Sequence, residues 1–202
     1  MTLRRGRLSL ALVPLLSIVA MLAPGGPAAS AVSLDNVTGG QSVLYVPFSN
    51  VATLAQNHMV AFPIGGAWLS YTNIPALNFP ISGGTVESST MLGTVNHPGG
   101  IAIEKFNPDG SVAKRLDVTN LKIVNGITLA GNALDLVPAP TADLINASHS
   151  KDPSSGVITF NADAQMNAVT TTVLNTYFST DAFKAGMILG HLTSKIQTKQ
   201  LL

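Results

Sequence analysis

The sequence predicts a mainly β domain over residues 32–202: an antiparallel, sandwich-like arrangement with one C-terminal amphipathic helix packed on the sheet. Three observations carry that expectation. Gly (18) and Pro (12), with Asn and Asp between them, cut the chain into short apolar or alternating runs. Hairpin turn chemistry recurs, as Asn107-Pro108-Asp109-Gly110 and Asn125-Gly126. Only one stretch, 164–177, changes to the helical period.

Taken in order, Val43–Val46 reads as a strand ending at Pro47, and Met59–Phe62 as a second ending at Pro63. Gly65-Gly66 turns into Ala67–Ile74, and Leu77–Ile81 is broken by Pro80. Gly83-Gly84 leads to Thr85-Val86, a loop at Ser88–Thr90, and a strand at Leu92–Asn96. His97-Pro98-Gly99-Gly100 is a turn into Ile101–Phe106, whose Ile101 and Ile103 share one face. After the Asn107–Gly110 hairpin come Val112–Val118 and Leu121–Val124. Past Asn125-Gly126 lie Ile127–Ala130 and Leu134–Val137. Residues 138–156 are polar and turn-rich and read as a surface excursion, followed by a strand at Val157–Asn161. The helix places Met166, Val169, Val173, Leu174 and Tyr177 on one face, with Asp163 or Asn161 as its cap. A short helical turn at Ser179–Phe183 ends at Gly186, and Met187–Ile196 is the last strand.

Composition narrows the function classes. Charged residues are 10% of the 202, against roughly 25% in an ordinary soluble chain, which argues against a nucleic-acid binder. The absence of Cys excludes disulfides, thiolate metal sites and a Cys nucleophile. Residues 1–31 have the layout of a secretory signal peptide. Arg4, Arg5 and Arg7 precede the apolar Leu8–Leu22, and Ala29-Ser30-Ala31 offers small residues for cleavage. The apolar run is about 15 residues, short of the ~20 a spanning helix needs. Losing those three arginines leaves eight basic against ten acidic residues, a net charge of −2. No later run is long enough to cross a membrane as a helix. The expected address is extracellular or envelope-associated.

No phosphate loop, Gly-x-Ser-x-Gly or His-x-x-x-His is present, and the acids are scattered singly. A carboxylate pair would need distant partners such as Glu87 and Glu104. The four histidines (58, 97, 149, 191) are isolated. His97 reads either as a turn histidine bonding local backbone or as a ligand-contacting imidazole on a loop. Trp68 and Tyr71 fall on opposite faces of an ideal strand, one expected in the core and one exposed. No Lys or Arg lies between Val32 and Glu104. That neutral surface suits an uncharged glycan, an apolar ligand or another protein.

The run Gly83-Gly84-Thr85-Val86, then Gly93-Thr94-Val95-Asn96-His97-Pro98-Gly99-Gly100, then Asn120-Leu121-Lys122-Ile123, resembles the HtaA-type domain of actinobacterial envelope proteins. Leu174-Asn175 and Phe183-Lys184-Ala185-Gly186 resemble the tail of related secreted proteins of unassigned activity. The resemblance implies haem binding by a tyrosine with a histidine nearby. His97 matches the histidine position. The family's Trp-Gly opening motif and its downstream tyrosine are missing, leaving Tyr71 or Tyr45, with Trp68, as the aromatic candidates. The first reading is thus a secreted, non-catalytic envelope protein, without a cofactor, that binds an envelope component or a small apolar ligand at His97, Tyr71, Trp68 or Tyr45. The alternative is an HtaA-type haem-binding protein, and an envelope hydrolase comes last.

Overall fold

The computed structural model describes residues 34–71, 73–133 and 139–200. The leader (1–31) and the expected strand at Leu134–Val137 lie outside the described residues. In chain order the elements are β1 (Leu34–Tyr45), α1 (Phe48–Gln56), β2 (Met59–Ile64), β3 (Trp68–Tyr71), β4 (Pro75–Pro80), β5 (Gly83–Glu87) and β6 (Gly93–Asn96). There follow β7 (Gly100–Phe106), β8 (Val112–Val124), β9 (Thr128–Ala133), β10 (Ala139–Lys151), β11 (Val157–Gln165), α2 (Ala168–Phe178) and β12 (Ile188–Gln200).

The mainly β, antiparallel expectation holds, and its layered form is a barrel. Eight strands close a ring in the order β1-β12-β11-β10-β9-β8-β6-β5, with β5 returning to β1. Two long strands divide one edge each between two partners. β1 pairs with β5 over Leu34–Val37 and with β4 over Gln41–Tyr45. β8 pairs with β6 near Val124 and with β7 from Val112 to Val118. The ring is therefore closed at one end by the β5–β6 hairpin. At the other end it opens into two arms, β4–β3 and β7–β2.

The closing hairpin explains two glycines of the sequence pattern. Gly84 and Gly93 hold φ of +132° and +125°, and a Cβ at either would lie 1.9 or 2.1 Å from a carbonyl oxygen of the facing strand. Asn125 and Gly126, both at positive φ, make the expected tight hairpin between β8 and β9. Inside the closed half, Val86, Val95, Ile123, Ile158, Phe160 and Ile196 are essentially inaccessible to solvent. A separate cluster under the helices joins Met59, Leu116, Met166, Leu174, Phe178 and Phe183.

Five expectations need correction. The described residues form two helices, because α1 follows Pro47 where no helix was expected. The region 138–156 is not an excursion: most of it is β10, paired with both β9 and β11. Pro140 is accommodated at a register shift against β9, and the strand's far end is exposed on both faces, so its sequence is polar. The cap of α2 is Asn167, whose side chain accepts from the Thr170 N–H at 2.8 Å, rather than Asp163 or Asn161. No helix resumes at 179–183. The helix buries Leu174 and Phe178, while Val169 and Val173 of the expected inner stripe are exposed.

Candidate functional site

The site region is the open end of the barrel and the layer beneath it. At the waist, His97 follows β6 and turns into the interior, with 3% of its surface exposed. Its Nδ1 lies 3.2 Å from the Leu121 carbonyl, so Nδ1 carries the hydrogen and donates. Nε2 is then the acceptor for the Ser42 hydroxyl at 2.8 Å, and Ser194 donates to Ser42 at 2.7 Å. The order Ser194 to Ser42 to His97 to Leu121 satisfies every member of a buried polar layer with the imidazole neutral. Burial pushes the His97 pKa down to about 4, against a smaller upward pull from the Leu121 carbonyl. Phe79 meets the imidazole edge-on, with ring centroids 6.4 Å apart.

Above that layer lies an apolar cavity of about 160 Å³. Leu44, Leu77, Ile101, Leu121 and Leu129 form its floor and sides; Leu54 of α1 and Leu174 of α2 cover it. Its cover is firmly tied on one side. Lys105 donates to the Phe178 carbonyl at 2.7 Å and Lys114 to the Tyr177 carbonyl, placing two cations at the C-terminus of α2. The Tyr177 hydroxyl donates to the Arg115 carbonyl. On the other side, α1 has no buried residue; Asn50 fastens it to the Ile188 and Leu189 carbonyls, and Asn57 accepts from Thr180.

The candidate aromatics gather at one sheet edge, apart from His97. Tyr45 pairs with Ala76 and Ala76 with Ser70, while Leu44, Leu77 and Leu69 form the adjacent row. Alternation therefore puts Leu69 and Tyr71 on the face that lines the cavity, and Tyr45 and Trp68 on the opposite face. The opposite-face expectation for Trp68 and Tyr71 holds, but neither is core: they are 45% and 71% exposed. β3 is a four-residue edge strand, and neither of its faces is covered there. Ile74 and Leu69 beside them are also exposed. The Tyr71 hydroxyl has no hydrogen-bond partner among the described residues.

The other candidates are committed to local structure. Glu87 accepts from Ser89 and Thr90, which hold its carboxylate below the usual range, and Glu104 pairs with Arg115 at 2.9 Å. Neither faces a second carboxylate in a pocket described above. His149 lies on β10 and contacts the Ser89 carbonyl, and His191 is bonded to Asp163. Among the described residues no three His, Asp or Glu side chains group as a metal site. No described helix is long and apolar enough to cross a membrane.

No protein-family model and no curated protein matches the sequence. Solved structures match its fold. The C-terminal domain of HtaA from Corynebacterium glutamicum superposes with a TM-score of 0.59 at 17% identity, covering 82% of this chain and 99% of that domain. This chain has the HtaA-domain fold. The N-terminal HtaA domain of that organism gives 0.59 at 14% identity over 81% of this chain and 99% of its own length. The haem-binding protein HtaB gives 0.58 at 15% over 83% of this chain and 96% of its own. The HtaA-type resemblance read from the sequence is thus matched at the level of the fold.

Proposed function

We propose that this protein is a non-catalytic binding module of the cell envelope whose ligand is haem, held at the open end of the barrel with the Tyr71 phenol as oxygen donor to iron. The observation that carries this reading is Tyr71 itself, an exposed phenol without a hydrogen-bond partner among the described residues, on a fold shared with the haem-binding protein HtaB. A tyrosine oxygen suits ferric haem. The exposed apolar side chains of Leu69 and Ile74 near it suit contact with a porphyrin.

The interior cavity does not fit haem. It is close in volume to a benzene-sized void, and no tyrosine or histidine lines it among the described residues. His97 does not fit as a donor either, since both ring nitrogens are engaged and the ring is buried. The fit is therefore at the surface, with Tyr71, and His97 acts as a packing and hydrogen-bonding residue of the waist. Export through the 1–31 leader belongs to the same reading.

A hemin titration of the purified protein, followed in the Soret region, tests it. The expected result is a saturable one-to-one shift that weakens at least ~10-fold in Tyr71→Phe and is unchanged in Tyr45→Phe. A flat response, or a Tyr71→Phe protein that titrates like the wild type, overturns it.

A further inference from the structure

We infer that the cavity beneath α1 and α2 is a second binding site, for a compact, uncharged, apolar molecule about the size of one aromatic ring. Its volume of about 160 Å³ is close to that of an engineered protein cavity of roughly 150 Å³ that stays dry and takes up benzene or xenon. Interiors packed at ordinary density hold few voids larger than a water, so a space of this size calls for an occupant.

The wall fixes the chemistry of that occupant. Four polar side chains reach it: Asn50, Thr53, Thr141 and Thr170. Each spends hydrogen on backbone. Asn50 donates to the Ile188 and Leu189 carbonyls, Thr53 to Ser49, Thr141 to Leu129 and Thr170 to Pro140. A carboxylate or sugar hydroxyl entering here would lose its water and gain no donor from these groups. The floor fixes the length. Below Leu44 and Leu121, the space beside Ser42 and His97 shrinks to about 20 Å³, too small to continue a long acyl chain. The wall that can yield for entry is α1, which buries no residue. This site stands apart from Tyr71 and does not depend on haem.

Thermal unfolding of the purified full chain with benzene tests the assignment. The expected result is a saturable rise in Tm, roughly 3 °C at ten times the dissociation constant, with no rise from benzoate. Ala142 and Ala164 are fully buried on the wall, so Ala142→Leu and Ala164→Leu fill the space and abolish the benzene shift. Ala142→Val is the milder filling variant, read for a reduced shift should the leucine variants fail to fold. Tyr71→Phe keeps the benzene shift, so failure of haem binding and failure of this site are told apart. Absence of a saturable shift in the wild type, an equal shift from benzoate, or a full shift in the folded filling variants overturns the inference.

Discussion

The two ends of the barrel are built from the same strands and differ in how completely they are filled. In the closed half, side chains from β5, β6, β8, β11 and β12 interdigitate around Phe160, and the β5–β6 glycines let backbones touch. In the open half the same β1 and β8 diverge to separate arms, a nine-residue helix lies across the mouth, and a cavity remains. Between them sits the Ser194–Ser42–His97 layer. The difference teaches that dense packing and accessible apolar surface are segregated along one axis. One half supplies a rigid cup, and the other keeps loosely packed apolar surface available.

Substitutions can break or sharpen that contrast. The largest effect is expected in the closed half. Phe160→Ala removes a ring that is 1% exposed, in a region too tightly packed to collapse, and should cost about 4 kcal/mol in denaturant unfolding. A loss near 1 kcal/mol would mean the two halves are equally plastic.

Next comes the waist, read through pH. The folded pKa of His97, about 4, lies below its unfolded value near 6.5, so between the two the unfolded chain binds the extra proton. Its contribution is fully present above pH 6.5 and is lost as pH falls toward 4. The loss amounts to about 3 kcal/mol from the size of the shift. The difference in stability between wild type and His97→Leu, followed from pH 7 to 4, should shrink by that amount. A constant difference would remove His97 from the acid response. The smallest effect belongs to the open half. Leu54→Ala enlarges a space that already exists and should cost about 1 kcal/mol, while altering the benzene shift. A cost matching Phe160→Ala would erase the contrast.

The sequence made the closed half legible and the open half much less so. Glycine pairs, Asn125-Gly126 and alternating apolar residues report directly on tight turns and a covered face, and these are the features of a filled barrel. α1 went unseen because its stretch, Phe48–Gln56, starts after Pro47 with no side-chain cap, carries no acidic first turn or basic last turn, and buries nothing. β10 was hidden by its polar, exposed far end. At the site, Tyr71, Trp68 and Tyr45 could be singled out as scarce aromatics, yet their faces depend on the pairing of β1, β4 and β3. His97 was visible as a turn residue. Its burial depends on Ser42 and Ser194, which lie 55 and 97 positions away in the chain, and no local pattern reports such a distance.

One feature of the ring bears on how the molecule comes into being. β1 and β12 are hydrogen-bonded along nearly their whole lengths, from Asp35 with Gln200 to Tyr45 with His191. The opening strand of the barrel thus waits for the closing strand. Until β12 is available, β1 and β11 both present unsatisfied edges, at the two ends of an open sheet in the order β1-β5-β6-β8-β9-β10-β11. Ring closure is then a late, long-range event, which places the domain among slow, topology-limited folders. During that interval its exposed edges are open to pairing with other chains.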